Sequence, residues 1–136
     1  MSMNNTYNLF ISHAWDYADD YSKLIELLDT QSSLDWRDQS VPRSSPVLAP
    51  DLIGIREALA RRIFQVDAVL VVSGIHHYSS KWVQYELYAA REYGKPVIGI
   101  EPRRPAAASA EVVDAATTIV EWKADSIART IRYLVA

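Results

Sequence analysis

The chain predicts an α/β fold, a parallel sheet with helices on both faces. Three observations carry this. Strand-length apolar runs and helix-period segments alternate five times along the chain, the pattern of successive βα units. Asp67 to Ser73 (DAVLVVS) is an unbroken apolar run, as a central strand covered on both faces requires. The thirteen residues from Asp38 to Pro50 (DQSVPRSSPVLAP) hold three prolines and three serines. They exclude helix and a central strand, leaving a long loop after the second strand.

Taken in order, Tyr7 to Ser12 (YNLFIS) is the expected first strand. A helix follows from Ala18 to Thr30, with Leu24, Ile25, Leu27 and Leu28 inward and Asp19 and Asp20 in its first turn. Leu34 to Arg37 (LDWR) is a short strand near an edge. Asp51 enters or caps a helix carrying Leu52, Ile55, Leu59 and Ile63 at helical spacing. The central strand comes next, then the loop Gly74 to Ser79 (GIHHYS). Ser80 to Tyr93 (SKWVQYELYAAREY) is an amphipathic helix capped by Ser79 or Ser80 and closed by Gly94 and Pro96. Pro96 to Ile100 (PVIGI) is a buried strand. Glu101 to Ala116 is a Pro/Ala-rich connection with room for a short helix. Thr117 to Trp122 is the last strand and Ala124 to Leu134 the last helix.

At 136 residues the chain is expected to form a single domain, 1–136. A hydrophobic share of 49% against 23% charged residues is globular composition. A net charge of -3 without a basic block disfavours nucleic acid as partner. The absence of cysteine removes disulfides, thiolate metal sites and cysteine nucleophiles, and fits a reducing cytoplasm. The N-terminus lacks a signal-peptide pattern, and no apolar run approaches the ~20 residues of a membrane span.

Glu86 is the residue out of place. At about 100° per residue, Trp82, Ala89 and Tyr93 fall within about 20° of one line on their helix. Tyr85, Ala90, Val83 and Leu87 widen this into an apolar arc, and Lys81, Gln84, Tyr88, Arg91 and Glu92 cover the other side. Glu86 projects inside the arc, about 40° from Trp82. A carboxylate there is either partly desolvated or lines a cavity, and both are costly without a reason. It is a candidate functional group. A structural carboxylate held by an Arg or by backbone donors is the alternative.

In parallel α/β sheets ligands bind beyond the C-terminal strand ends, at the switch in strand order. The segments expected there are Ser12 to Tyr17, Arg37 to Pro50 and Gly74 to Trp82. Ser12 and His13 can bond a polar ligand and Trp15 can stack on a base; a plain βα loop is the other account. Arg37 can meet a phosphate or serve as an ordinary edge charge. His76 and His77 are adjacent and point apart, which suits no metal. No glycine-rich GxGxxG or GxxxxGK[ST] phosphate cradle is present. A phosphoacceptor domain needs an Asp where the central strand ends in Val72 and Ser73. A flavin domain needs a Ser/Thr-rich loop where this chain reads SHAWDY.

Three segments together, YNLFISHAWDYADDY, DWRDQSVP and SSKWVQYELYAAREYGKPVIGI, resemble the TIR-like (Toll/interleukin-1 receptor-like) domains of the bacterial Thoeris anti-phage system. The W-x-x-x-E of Trp82 to Glu86 is the most specific part. The resemblance implies a flavodoxin-like three-layer sandwich with a five-stranded parallel sheet. It implies cleavage of NAD, as substrate and not cofactor, at the nicotinamide–ribose bond. The ADP-ribosyl group then becomes a signal, a cyclic ADP-ribose isomer or an ADP-ribose conjugate, which activates a separate effector protein. Glu86 aligns with the catalytic glutamate. Trp15, Tyr78 or Trp82 would stack on nicotinamide or adenine, and Ser12, His13 and the loop from Arg37 to Ser45, Ser44 within it, would position the dinucleotide. No metal or cofactor is implied. The 38–50 loop corresponds to one that mediates self-association in signalling TIR domains. A non-catalytic TIR-like interaction module is the competing reading.

Overall fold

The computed structural model describes residues 6–12, 18–31, 34–39, 52–72, 81–102 and 110–135. Strands β1 (Thr6–Ser12), β2 (Asp35–Asp38), β3 (Ala68–Val72), β4 (Val97–Ile100) and β5 (Thr118–Val120) alternate with helices. These are α1 (Ala18–Asp29), α2 (Leu52–Gln65), α3 (Lys81–Glu92), α4 (Ala110–Ala115) and α5 (Ala124–Leu134). The strands form one parallel sheet in the order β2-β1-β3-β4-β5. Strand order therefore reverses between β1 and β3, where such sheets open a ligand crevice.

Alternation along the strands sorts the core into two layers. Leu9, Ile11, Leu70, Val72, Ile98 and Ile100 join Leu24 and Leu28 of α1 and Ile127 and Ile131 of α5 on one face. Phe10, Val69, Val71 and Val97 join Leu59 and Ile63 of α2 and Val83, Leu87 and Ala90 of α3 on the other. Every residue of β3 is buried, as expected of a strand covered on both faces. On α1 the inward residues are Leu24 and Leu28, with Ile25 and Leu27 half-buried at the flanks. β2 is an edge strand whose exposed Asp35, Arg37 and Asp38 discourage further pairing. Trp36 is half-buried on the α1 side, and its indole Nε1 donates to Asp29 Oδ1 at 3.1 Å.

Two contacts fix the register that matters for the site. The Asn8 backbone N–H donates to Asp67 Oδ2 at 2.8 Å, and the Asp67 N–H donates to the Asn8 carbonyl at 2.7 Å. With β3 clamped to β1 there, Leu9 pairs with Ala68 and Ser12 with Val71. At the end of α3, Gly94 takes φ +67, a left-handed conformation that costs glycine little. The Lys95 N–H reaches the Ala90 carbonyl at 2.8 Å and the Gly94 N–H the Arg91 carbonyl at 3.1 Å, a Schellman closure. Pro96 then directs the chain into β4. Gly99 is closely packed: a Cβ there would lie 3.0 Å from Ile119 Cγ1 of the neighbouring strand, which would have to shift by a few tenths of an ångström.

Element boundaries differ from the sequence expectation by a residue or two. β2 begins at Asp35 and ends at Asp38, and β5 is only the three residues Thr118–Val120. One side chain departs more. Tyr93, expected within the buried arc of α3, is 42% exposed and packs edge-to-face on Phe64 at 5.2 Å between ring centroids. It stands past the last helical residue, where the chain turns at Gly94, so helical angle no longer predicts its direction. Among the described side chains of α3 the buried set is Val83, Glu86, Leu87, Ala89 and Ala90. Its centre is rotated from the Trp82 line toward Ala90, which brings Glu86 within about 20° of the middle of the stripe. The capping expectations for Asp51, Ser79 and Ser80 lie outside the described residues.

Candidate functional site

Glu86 lies in the second turn of α3, on the helix face that packs against the sheet. Its neighbours at i−3, i+1 and i+4 are Val83, Leu87 and Ala90, all buried. Glu86 as a whole is only 6% exposed. Ser12 is the last residue of β1 and 1% exposed. It shares strand parity with Phe10, so it faces the α2/α3 layer. The Ser12 hydroxyl donates to Glu86 Oε1 at 2.7 Å, joining residues 74 apart in sequence. The pair therefore sits at the C-terminal end of β1, beside β3, at the reversal of strand order.

Electrostatics make this pair unusual. Burial pushes the Glu86 carboxyl from 4.5 up to about 8, and the Ser12 hydrogen bond offsets part of that rise. Among the described residues no cation opposes Glu86; its polar partner is a neutral hydroxyl. A desolvated acid with one fixed oxygen is expensive for stability and suited to meeting a positive charge brought by a ligand.

The remaining sequence candidates are distributed as follows. Arg37 is exposed on edge strand β2 and pairs in register with Asn8, four residues before Ser12 on β1. That places its Cα roughly 13 Å short of Ser12 along the strand direction, at about 3.3 Å per residue. Trp82 occupies the first turn of α3. His13, Trp15, Ser44 and Tyr78 lie outside the described residues, as do His76 and His77. Among the described residues no group of three His, Asp or Glu could hold a metal ion, and no helix is long and apolar enough to cross a membrane. A groove of about 640 Å³ runs between α3 and α4, lined by Gln84, Tyr88, Arg91 and Asp114. It lies on the solvent side of α3 and does not reach Glu86.

Sequence reasoning finds both members of the pair but not the contact. It gives Ser12 to a ligand, whereas the Ser12 hydroxyl is committed to Glu86. The available signal is alternation in β1: with Leu9 and Ile11 on one face, Ser12 must face the layer that holds α3.

Sheet order and buried pair together define a flavodoxin-like α/β domain with a carboxylate at the switch point. The chain belongs to the family described as the TIR-like domain of Thoeris protein ThsB, which it matches over residues 10–107, a span that includes both Ser12 and Glu86. Among solved structures it is similar to the CMP N-glycosidase of Clostridium botulinum, at 13% identity and a TM-score of 0.54, over 93% of this chain and 98% of that one. A 3-dehydroquinate dehydratase-like protein from Bifidobacterium longum aligns at 13% identity with a TM-score of 0.47, over 96% of this chain and 95% of that one. At such identities the likeness to the first is one of fold alone. No curated protein sequence matches the chain.

Proposed function

We propose that this domain cleaves NAD at the nicotinamide–ribose bond and passes on the ADP-ribosyl group as a signalling nucleotide in anti-phage defence. The observation that carries the reading is the buried Glu86, held by Ser12 at the switch point of a Thoeris TIR-like domain. The similar fold of the Clostridium protein, a CMP N-glycosidase, supports base–ribose cleavage as chemistry this architecture can host.

The chemistry follows from charge. The nicotinamide ring of NAD is cationic until the glycosidic electrons leave with it. The departing base becomes neutral and the ribose becomes oxocarbenium-like. A carboxylate beside the anomeric carbon stabilises that positive charge, and in a low-dielectric setting it does so strongly. Glu86 must be ionised for this. The cationic ring entering beside it favours loss of its proton. Water closing on the ribose yields ADP-ribose and a proton. A nucleophile within the same molecule yields a cyclic isomer, and a separate acceptor yields a conjugate. Self-association through the 38–50 loop and a separate effector that reads the signal complete the proposal.

The test is incubation of the pure protein with NAD, alone and with extract from infected cells, following nicotinamide by chromatography. Wild type is expected to release nicotinamide and Glu86→Gln to release less by a factor of a hundred or more, as on order-of-magnitude grounds for loss of a preorganised charge. Equal release by the two proteins would remove Glu86 from the mechanism. Release by neither, in any condition, would favour a non-catalytic interaction module.

A further inference from the structure

The pairing of Ser12 with Glu86 supports more than the presence of a buried acid. Ser12 ends a strand whose residues Thr6 to Leu9 pair with β2 and whose residues Leu9 to Ser12 pair with β3, Ser12 itself with Val71. A serine on a fixed strand has one side-chain torsion, so its oxygen is placed with little freedom. Glu86 extends from a helix through three torsions, so which oxygen points where is open until a partner holds one of them. The hydroxyl has a single proton, and at 2.7 Å that proton is spent on Oε1.

We infer that Ser12 is a positioning residue that fixes Oε1 of Glu86, favours its ionised form and leaves Oε2 as the oxygen offered to substrate. The catalytic consequence rests on the NAD-cleaving reading; the coupling of the two side chains does not.

The surroundings leave this task to Ser12 among the described residues. On the sheet face toward α3 the buried side chains are Phe10, Val69 and Val71. From α2 the inward residues are Leu59 and Ile63, while Arg56, Glu57, Arg61 and Arg62 are exposed. On α3 itself Gln84, Tyr88, Arg91 and Glu92 are exposed on the other side of the helix. Among the described residues the hydroxyl is thus the polar group that stabilises negative charge on Glu86, and a hydrogen bond to a buried carboxylate is stronger than one between neutral groups. Toward a substrate, Ser12 can only accept, through its remaining lone pair.

The experiment compares wild type, Ser12→Ala, Ser12→Thr and Glu86→Gln. The carbon-13 shift of the Glu86 side-chain carboxyl is titrated in the free protein, with Glu86→Gln identifying the signal. Thermal melts confirm that each variant is folded. Ser12→Ala is expected to raise the titration midpoint by about one pH unit, and Ser12→Thr, which keeps the hydroxyl, to restore it. The ionised fraction at pH 7 then falls from about one in ten to about one in a hundred. Nicotinamide release by Ser12→Ala is expected to fall about tenfold at pH 7. At NAD well below KM the loss recovers as pH rises past the midpoint, and there KM for NAD matches that of wild type. An unmoved midpoint would overturn the inference. So would a raised KM with an unmoved acid limb, which would make Ser12 a direct substrate ligand. If wild type releases no nicotinamide, NAD cleavage fails while the titration still decides the role of Ser12.

Discussion

Replacing Glu86 with Gln is expected to make the protein more stable at alkaline pH while abolishing its proposed activity. Gln keeps the shape of the side chain and an oxygen to accept from Ser12, but removes the ionisable group. The carboxyl has a folded-state value of about 8 against 4.5 for an ordinary glutamate, which stands for the unfolded chain. Below 4.5 both states hold the proton, and burial carries no ionic penalty. Between the two values only the folded state holds it, so wild-type stability falls as pH rises. The slope reaches about 1.4 kcal/mol per pH unit, and across the interval the loss amounts to about 5 kcal/mol. For a domain whose whole stability is on the order of 5–15 kcal/mol, this is a large effect. Urea unfolding followed by circular dichroism, at pH 4, 7 and 9, measures it. Other ionisable groups contribute equally to both proteins, so the difference between the curves isolates Glu86. The two proteins should match closely at pH 4 and diverge steadily to pH 9 in favour of Gln. Curves that stay parallel to within about 1 kcal/mol would show that Glu86 is not desolvated, and the electrostatic argument for the site would fall with it.

Other outcomes follow from the same geometry. For NAD cleavage, kcat/KM should rise with pH through about 8, the free-protein value of Glu86. The rise in kcat should lie at lower pH, because the bound cationic ring favours the carboxylate; coincident profiles would count against that contact. Gly94→Ala, at φ +67, should lower stability by about 1 kcal/mol, seen as a reduced melting temperature. Gly99→Val should cost about 1–3 kcal/mol, because its side chain meets Ile119; an unchanged melting temperature would show that β5 yields freely. Leu28→Ala opens a cavity on the sheet face away from Glu86, and should cost about 2–5 kcal/mol in urea unfolding while turnover per folded molecule stays the same.

Much of this architecture was legible in the chain because its signals are local. The unbroken AVLVV of β3, the 3.6-residue spacing of Leu24 and Leu28, and the Gly-x-Pro stop at residues 94–96 each identify an element within a few residues of itself. α5 runs from Ala124 to Leu134 as its periodicity predicts. The anomaly of Glu86 was equally local, a charge at an apolar position. Where local rules lapse, at the turn after α3, Tyr93 points to solvent instead of the core.

The sequence by itself determined the alternation of strands and helices, the central place of β3 and the presence of an acid on a buried face, since hydrophobic period is written into neighbouring residues. Only the tertiary structure decided that β1 lies beside β3, that Ser12 therefore meets Glu86, and that the acid's partner is a neutral hydroxyl. The physical reason is distance along the chain. A hydrogen bond between residues 74 apart depends on strand order and register, which arise from the packing of the whole sheet and leave no periodic trace in either segment.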